Sequence, residues 1–151
     1  MGMRVRMVVV SPRQIGEFGE WDEERFFDVF ETGSVVDIDK SWEAAFSLVG
    51  SIAGTGSVML DDEAAPVGPE IGFSPPILIL PERVRVIAEA LGAADAATVE
   101  DHWARLDSPF MDNGRYVDEE GKEYAMWGFR ETAKLLGRAA AASSGVLFAI
   151  F

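Results

Sequence analysis

The sequence contains no cysteine and a single histidine, and these two shortages restrict its chemistry. Without cysteine the chain forms no disulfide, offers no thiolate to a metal and has no thiol nucleophile. Zinc sites take most of their ligands from cysteine and histidine, so no metal site is expected. No cofactor is expected either, because the glycine-rich residues 50–56 lack the GK[ST] ending of a phosphate loop and follow a predicted helix.

Long hydrophobic runs are also missing from the sequence. No stretch approaches the roughly 18–20 apolar residues that a membrane-spanning helix needs. The apolar run near the N-terminus covers only Met7 to Val10 and has no cleavage site of a signal peptide. We therefore expect a soluble cytoplasmic protein that has no membrane partner.

Basic residues are scarce relative to acidic ones. The chain has 26 acidic and 13 basic residues and a net charge of −13, and residues 17–43 alone carry −8. This field repels phosphate backbones, and no basic stripe is evident in the sequence, so nucleic acid is not an expected partner. A basic partner protein would be attracted. The alternative is that the acidic residues only solvate the surface.

Hydrophobic residues make up 48% of the chain, which is enough for one core, and residues 1–151 are predicted to form a single domain. The apolar stretches 3–10 and 146–151 are predicted strands, and both are expected in one sheet. The fold class is therefore α+β, a small mixed or antiparallel sheet packed with about five to six helices. The helices are predicted to start near residues 12, 22, 39, 81, 95 and 122. A third and a fourth strand are predicted at 57–60 and 77–80, and long loops at 61–74 and 107–121.

A group of carboxylates lies at the predicted start of the third helix. Asp39 is predicted to cap this helix, and Asp37 and Glu43 lie close to it in sequence. They flank Trp42, the first residue of an apolar stripe, whose ring could form the wall of a pocket. We consider Asp37, Asp39, Trp42 and Glu43 candidate ligand- or partner-binding residues, although capping and core packing would also explain them.

The single histidine, His102, lies on the apolar face of a predicted helix beside Trp103. This position favours a structural, hydrogen-bonded histidine. A Ser-His-Asp triad is formally open, but no serine has the sequence context of a nucleophile. No catalytic residue is assigned.

Two segments resemble elements of a known family. Residues 37–42 (DIDKSW) resemble the element D-[LI]-D-K-x-W, and residues 67–75 (VGPEIGFSP) resemble I-G-x-D-L-G-Y-G-P. Together with the helix start at 80–84 and the order of the terminal helix and strand, these motifs resemble the YfbM-like family across essentially the whole chain. The second segment adds Gly72 and Phe73 to the candidate binding residues.

The resemblance implies a compact α+β fold and a bacterial cytosolic protein, but it implies no activity because the family has none assigned. The family usually continues H-x-x-H after the tryptophan, whereas this chain has Glu43 and Phe46 at those positions. A family site that uses those histidines would therefore be altered here.

Two functions from different classes remain open. The first is a non-catalytic binding module whose acidic helical face engages a basic protein. The second is a small-molecule or metal-dependent enzyme that uses carboxylates around Asp39 and Trp42. The first is preferred, because catalysis at neutral pH usually needs a positioned base with a tuned pKa, and the only histidine is predicted to be packed. A deep pocket with converging carboxylates would favour the enzyme.

Overall fold

The computed structural model describes residues 3–55, 65–106 and 118–151. These segments contain five β-strands and six α-helices. The strands are β1 (Val5–Val10), β2 (Val36–Asp39), β3 (Ala65–Pro66), β4 (Ile77–Ile79) and β5 (Gly145–Ile150). The helices are α1 (Pro12–Glu17), α2 (Glu23–Thr32), α3 (Trp42–Ala53), α4 (Pro81–Ala93), α5 (Ala96–Ala104) and α6 (Glu119–Ala141), and a 3₁₀ turn (Phe18–Glu20) separates α1 from α2.

The strands form one antiparallel sheet in the order β2-β1-β5-β4-β3. The two ends of the chain meet in this sheet, because Arg4 and Phe151 exchange backbone hydrogen bonds of 2.8 Å. The predicted α+β fold, with its N- and C-terminal strands in one sheet, is confirmed.

The central strand is β5, and every one of its residues is buried. Its sequence, GVLFAI, carries no polar side chain, as expected for a strand that is covered on both faces. In the register with β1, Val5 lies opposite Ile150 and Val10 opposite Gly145. The apolar character of both stretches therefore follows from their place inside the fold.

One face of the sheet packs against α3, α4, α5 and α6. Met7 and Phe148 project from the strands into this layer, and Phe46 of α3 meets Phe148 edge-to-face at 5.4 Å. The predicted apolar stripe of α3 is confirmed at Ala45, Phe46 and Val49, which are all fully buried.

The opposite face packs against α2 and the segment 67–76. Val8 and Leu147 project into this second layer, where they join Phe26 and Phe30 of α2. Ile71, from the segment 67–76, completes the layer. The sheet is thus the middle of three layers.

Several boundaries differ from those predicted. Residues 36–39 form the edge strand β2, where a helix cap was expected. The last helix begins at Glu119 because the Asp118 side chain accepts a hydrogen bond from Gly121 N, so the loop predicted for 107–121 ends earlier. A glycine that follows a long helix is typical of a C-cap, but Gly145 is the first residue of β5.

The predicted strand 57–60 lies outside the described residues. The same holds for residues 61–64 of the predicted loop 61–74 and residues 107–117 of the predicted loop 107–121. Within the described segments no helix is both long enough and apolar enough to cross a membrane.

Candidate functional site

Asp37 lies in the edge strand β2 and forms ion pairs with two arginines. Arg6 belongs to the neighbouring strand β1, and Arg4 directly precedes that strand. Its Oδ2 lies 3.0 Å from Nε of Arg4 and 3.5 Å from Nε of Arg6. Its Oδ1 accepts a hydrogen bond of 2.8 Å from Asp39 N. The Asp37 carboxylate thus ties β2 to the chain around β1 and shapes the turn that follows.

Asp39 ends β2 in the left-handed backbone region, with a φ of 51° that aspartate tolerates better than most residues. Its Oδ2 accepts a hydrogen bond of 2.7 Å from the hydroxyl of Tyr124 in α6. The same hydroxyl oxygen accepts a bond of 3.1 Å from Lys40 N. The predicted capping of α3 by Asp39 is wrong, because α3 begins at Trp42 with Ser41 as its N-cap residue, and the Asp39 side chain bonds to α6 instead.

Trp42 is half-buried at the start of α3. Its indole Nε1 donates a hydrogen bond of 3.0 Å to Met3 O, and its ring meets Phe46 at 6.5 Å. Glu43 follows it in the first turn of α3 and is also half-buried. The tryptophan therefore joins the start of α3 to the chain that leads into β1.

A hollow of about 480 Å³ lies beside Asp39 and is open to solvent. Neither Trp42 nor Glu43 lines it; its lining residues are Asp39, Asp118, Glu120, Gly121 and Tyr124. Asp118 is already engaged as the N-cap of α6. Across residues 3–55, 65–106 and 118–151, no group of three or more His, Cys, Asp or Glu side chains is arranged to hold a metal ion. The hollow is an open acidic surface rather than a deep pocket.

Gly72 and Phe73 lie in the segment 67–76, which is fixed to the central strand. A Cβ at Gly72 would collide with Ile150 O, so only glycine allows this close approach. Phe73 N donates a hydrogen bond of 2.9 Å to the same carbonyl oxygen. The Phe73 side chain is nevertheless 67% exposed, which is unusual for a large aromatic residue on a fixed backbone.

The candidate residues do not form one site. Asp37 is on the α2 side of the sheet, because it pairs with Arg6 there. The guanidinium carbon of Arg6 is 5.0 Å from the centre of the Phe151 ring. Gly72 lies against Phe151 as well, since a Cβ there would be 3.4 Å from that ring. The other candidates, Asp39, Trp42 and Glu43, contact or belong to α3 and α6 on the opposite side.

The surface of α2 and of the 3₁₀ turn before it carries an acidic patch beside this first group. Four exposed carboxylates form no ion pair with any residue of the described segments. We call them the α2 acidic face: Glu20, Glu23, Glu24 and Asp28. Glu31 differs from them, because it pairs with Arg6 at 2.7 Å.

Aromatic rings connect the α2 acidic face to Phe73. The Phe27 ring lies 6.0 Å from that of Phe151, against which Gly72 packs. Phe27 also lines a hollow of about 460 Å³ with Asp22, Glu23 and Glu24. The sequence showed the charge of residues 17–43, but nothing in it indicated that segment 67–76 packs on the same side.

His102 is half-buried, and its Nδ1 lies 2.8 Å from the Ser51 hydroxyl oxygen. This bond joins α5 to α3. The predicted hydrogen-bonded histidine is thus present, at the edge of the core rather than inside it. No carboxylate of the described segments bonds to the other ring nitrogen, so the pair lacks the third member of a triad.

Comparisons with known proteins agree with this fold. A family model described as a domain of unknown function, DUF1877, matches residues 1–149. The chain belongs to the DUF1877 family. The structure of YfbM from Escherichia coli, described as a protein of unknown function, is similar with a TM-score of 0.58 and 12% identity, over 98% of this chain and 99% of that one. No protein with a curated description matches the chain significantly.

The resemblance to the YfbM-like family is therefore confirmed. At 12% identity the similarity to YfbM establishes the fold alone. Because the DUF1877 family has no assigned function, the role of this member has to be inferred from its own residues.

Proposed function

We propose that this DUF1877 protein is a non-catalytic, cytoplasmic binding module that engages a basic protein partner through the α2 acidic face. Phe27 and Phe73 supply apolar contacts beside the carboxylates. One observation carries the proposal: four exposed carboxylates without ion pairs in the described segments lie on the same side of the sheet as a phenylalanine that is 67% exposed.

The charge of the molecule supports a basic partner. A net charge of −13 attracts cationic proteins and raises their association rate, and the effect is largest where the charge is concentrated. Carboxylates on an exposed helix surface give specificity through charge, whereas aromatic rings usually contribute most of the binding energy. The surface beside α2 combines both kinds of group.

The packing of α2 on the core does not involve these carboxylates. Phe26 and Phe30 bury the opposite side of the helix in the core. Asp22 has a structural role, since it accepts a hydrogen bond of 2.8 Å from Arg25 N and caps the helix. Glu24 and Asp28, four residues apart, project from the other side of the helix, and Glu23 is exposed in its first turn. Their replacement by glutamine should therefore change binding and leave the fold intact.

Asp37 lies at the border of the proposed surface, because it pairs with Arg6, and Arg6 packs on the Phe151 ring. Its two ion pairs hold it in the fold, so its contribution to partner binding would be indirect. Asp39, Trp42 and Glu43 lie on the other side of the sheet, and binding by these residues stays a separate prediction.

The enzyme alternative has one observation in its favour, the hollow of about 480 Å³ beside Asp39 and Tyr124. Its carboxylates do not converge on a metal in the described segments. Its Tyr124 hydroxyl already bonds to Asp39. We therefore prefer the binding module.

Fluorescence anisotropy with a labelled basic amphipathic peptide tests this proposal. The wild type should bind the peptide, and binding should weaken as salt screens the charges. The triple variant Glu23→Gln, Glu24→Gln, Asp28→Gln should lose about tenfold in affinity, since exposed charge pairs contribute about 0.2–1 kcal/mol each. Phe73→Ser should lose about fivefold, as expected for loss of an aromatic contact of about 1 kcal/mol.

A matched control removes the same charge elsewhere. The variant Glu89→Gln, Asp101→Gln, Glu123→Gln neutralises three exposed carboxylates on α4, α5 and α6. It should keep most of the affinity. Equal losses in the two triple variants would show that only net charge matters and would contradict a site on α2.

A further inference from the structure

The solvent side of α6 carries a row of basic residues that no motif of the sequence indicated. Arg130, Lys134 and Arg138 recur at every fourth position and are all exposed. This spacing places them on one side of a helix. We call these three residues the α6 basic row.

Two members of the α6 basic row lack a partner within the described part of the chain. Arg130 and Arg138 form neither an ion pair nor a side-chain hydrogen bond with any residue that the structure describes. Lys134 lies 3.4 Å from Glu131, yet 69% of its side chain is exposed. The row therefore presents a local positive charge on a chain whose net charge is −13.

A hollow of about 540 Å³ adjoins the basic row. Its apolar lining comes from Val36, Gly137 and Ala141, and its charged lining from Glu131, Lys134 and Arg138. The hollow is open to solvent, so it suits one side chain of a partner rather than an enclosed small ligand. The space above Gly137 is empty, because a Cβ there would meet no atom within 4 Å. Val36 belongs to β2, so the hollow lies where α6 meets an edge of the sheet.

We infer that this surface docks an acidic segment of a partner protein, with an apolar side chain of the segment in the hollow and its carboxylates on Arg130 and Arg138. The charges are complementary, since guanidinium groups form strong, often bidentate bonds with carboxylates. The apolar lining favours a protein segment that carries an apolar side chain over a nucleic acid backbone, which carries none. This surface is separate from the α2 acidic face and opposite to it in sign.

The probe is a fluorescein-labelled peptide of about 12 residues in which glutamates and aspartates surround one leucine. The wild type should bind the peptide at low ionic strength, and its affinity should fall as added salt screens the charges. The double variant Arg130→Gln, Arg138→Gln should weaken binding about fivefold or more. The control Arg13→Gln, Arg85→Gln removes two exposed arginines from α1 and α4 and should keep the affinity within about twofold.

The hollow is tested separately from the charges. A Cβ at Gly137 meets no atom within 4 Å, so Gly137→Leu should place its side chain in the hollow and weaken binding at least as much as the double arginine variant. Its melting temperature should stay at or above that of the wild type, because leucine is a better helix former than glycine. Replacing the leucine of the probe by serine should have a similar effect on affinity.

Three results would overturn the inference. The first is no binding of the acidic peptide by the folded wild type at low salt, or equal binding by wild type and the double arginine variant. The second is tighter binding of a single-stranded oligonucleotide than of the peptide, which would assign the row to nucleic acid. The third is reversible self-association, measured by sedimentation, that the double arginine variant abolishes, which would make a second copy of the chain the occupant.

Discussion

At the scale of single residues, two glycines of α6 differ sharply in their surroundings. A Cβ at Gly128 would collide with the Ser41 hydroxyl and lie 3.3 Å from the Cβ of Ala45. Ser41 is fully buried, so it has little room to move. Gly137 faces open space on the same helix. Gly128 therefore sets how closely α6 approaches α3.

We expect Gly128→Ala to lower the free energy of unfolding by about 1–3 kcal/mol, because it overpacks a tight contact. Gly137→Ala is the matched control, and it should raise the free energy of unfolding by about 0.5–1 kcal/mol through helix propensity alone. Urea unfolding of both variants measures the difference. Equal effects of the two substitutions would contradict the close packing of α6 on Ser41.

The bond between Asp39 and Tyr124 is a second prediction at this scale. A double-mutant cycle of Asp39→Ala and Tyr124→Phe should give a coupling of about 0.5–1.5 kcal/mol in the free energy of unfolding, the usual contribution of one hydrogen bond. A coupling near zero would mean that the 2.7 Å bond contributes nothing to stability.

At the scale of elements, helix ends with a specific capping residue could be predicted from the sequence. Ser11 and Pro12 indicated the start of α1, and the structure shows a capping box there between Ser11 and Gln14. For α5 the sequence left Asp95 and Thr98 as alternative caps, and the structure shows that Asp95 is the cap.

Strand β2 could not be predicted in the same way. Its sequence, VDID, is short and half acidic, so it is typical of a turn or a helix cap. Its strand geometry depends on pairing with β1 and on the ion pairs of Asp37 with Arg4 and Arg6, which are contacts distant in sequence.

The cap of α5 should make the stability of this helix depend on pH. The backbone N–H of Thr98 donates a hydrogen bond of 2.8 Å to Asp95, and this bond lowers the pKa of that carboxyl below its ordinary value. A lowered pKa in the folded state contributes stability above the unfolded pKa, and this contribution is lost as the pH falls through the folded pKa.

We therefore expect the start of α5 to fray in acid. Hydrogen exchange at Thr98 and Val99, corrected for the intrinsic rate, should lose protection below the ordinary pKa range of aspartate. In Asp95→Asn, which keeps a capping oxygen but does not titrate, the acid-dependent change should be absent. The same loss of protection in both proteins would assign it to another group.

At the scale of the whole molecule, the central strand β5 connects the two halves of the sheet. It pairs with β1 on one side and with β4 on the other, and its side chains enter both apolar layers. Its position was predictable, because a terminal stretch with no polar side chain can only be stable when covered on both faces.

Removal of residues 146–151 should therefore abolish folding. Each large apolar side chain that is lost contributes roughly 1.5–3 kcal/mol, and the whole domain is expected to have only about 5–15 kcal/mol of stability. Circular dichroism should show no cooperative thermal transition for the truncated chain. A transition near that of the full chain would contradict the central position of β5.

The proposed binding surface was only half predictable. The concentration of acidic residues in 17–43 is visible in the sequence. The position of Phe73 on the α2 side of the sheet is not, because it depends on the packing of the segment 67–76 against β5 and Phe151. The candidate residues Asp37 and Asp39 are close in sequence, but their side chains bond to residues on opposite sides of the sheet. This separation is visible only in the folded structure.

The most direct test of a basic partner on the α2 acidic face is a map of the backbone amide resonances during titration with the labelled basic amphipathic peptide. We expect the chemical-shift changes to concentrate in residues 20–31 and 71–74. In the Glu23→Gln, Glu24→Gln, Asp28→Gln variant they should require about tenfold more peptide, in line with the expected loss of affinity. Changes centred instead on Asp39, Glu120 and Tyr124, or no changes at low salt, would contradict a partner site on this face.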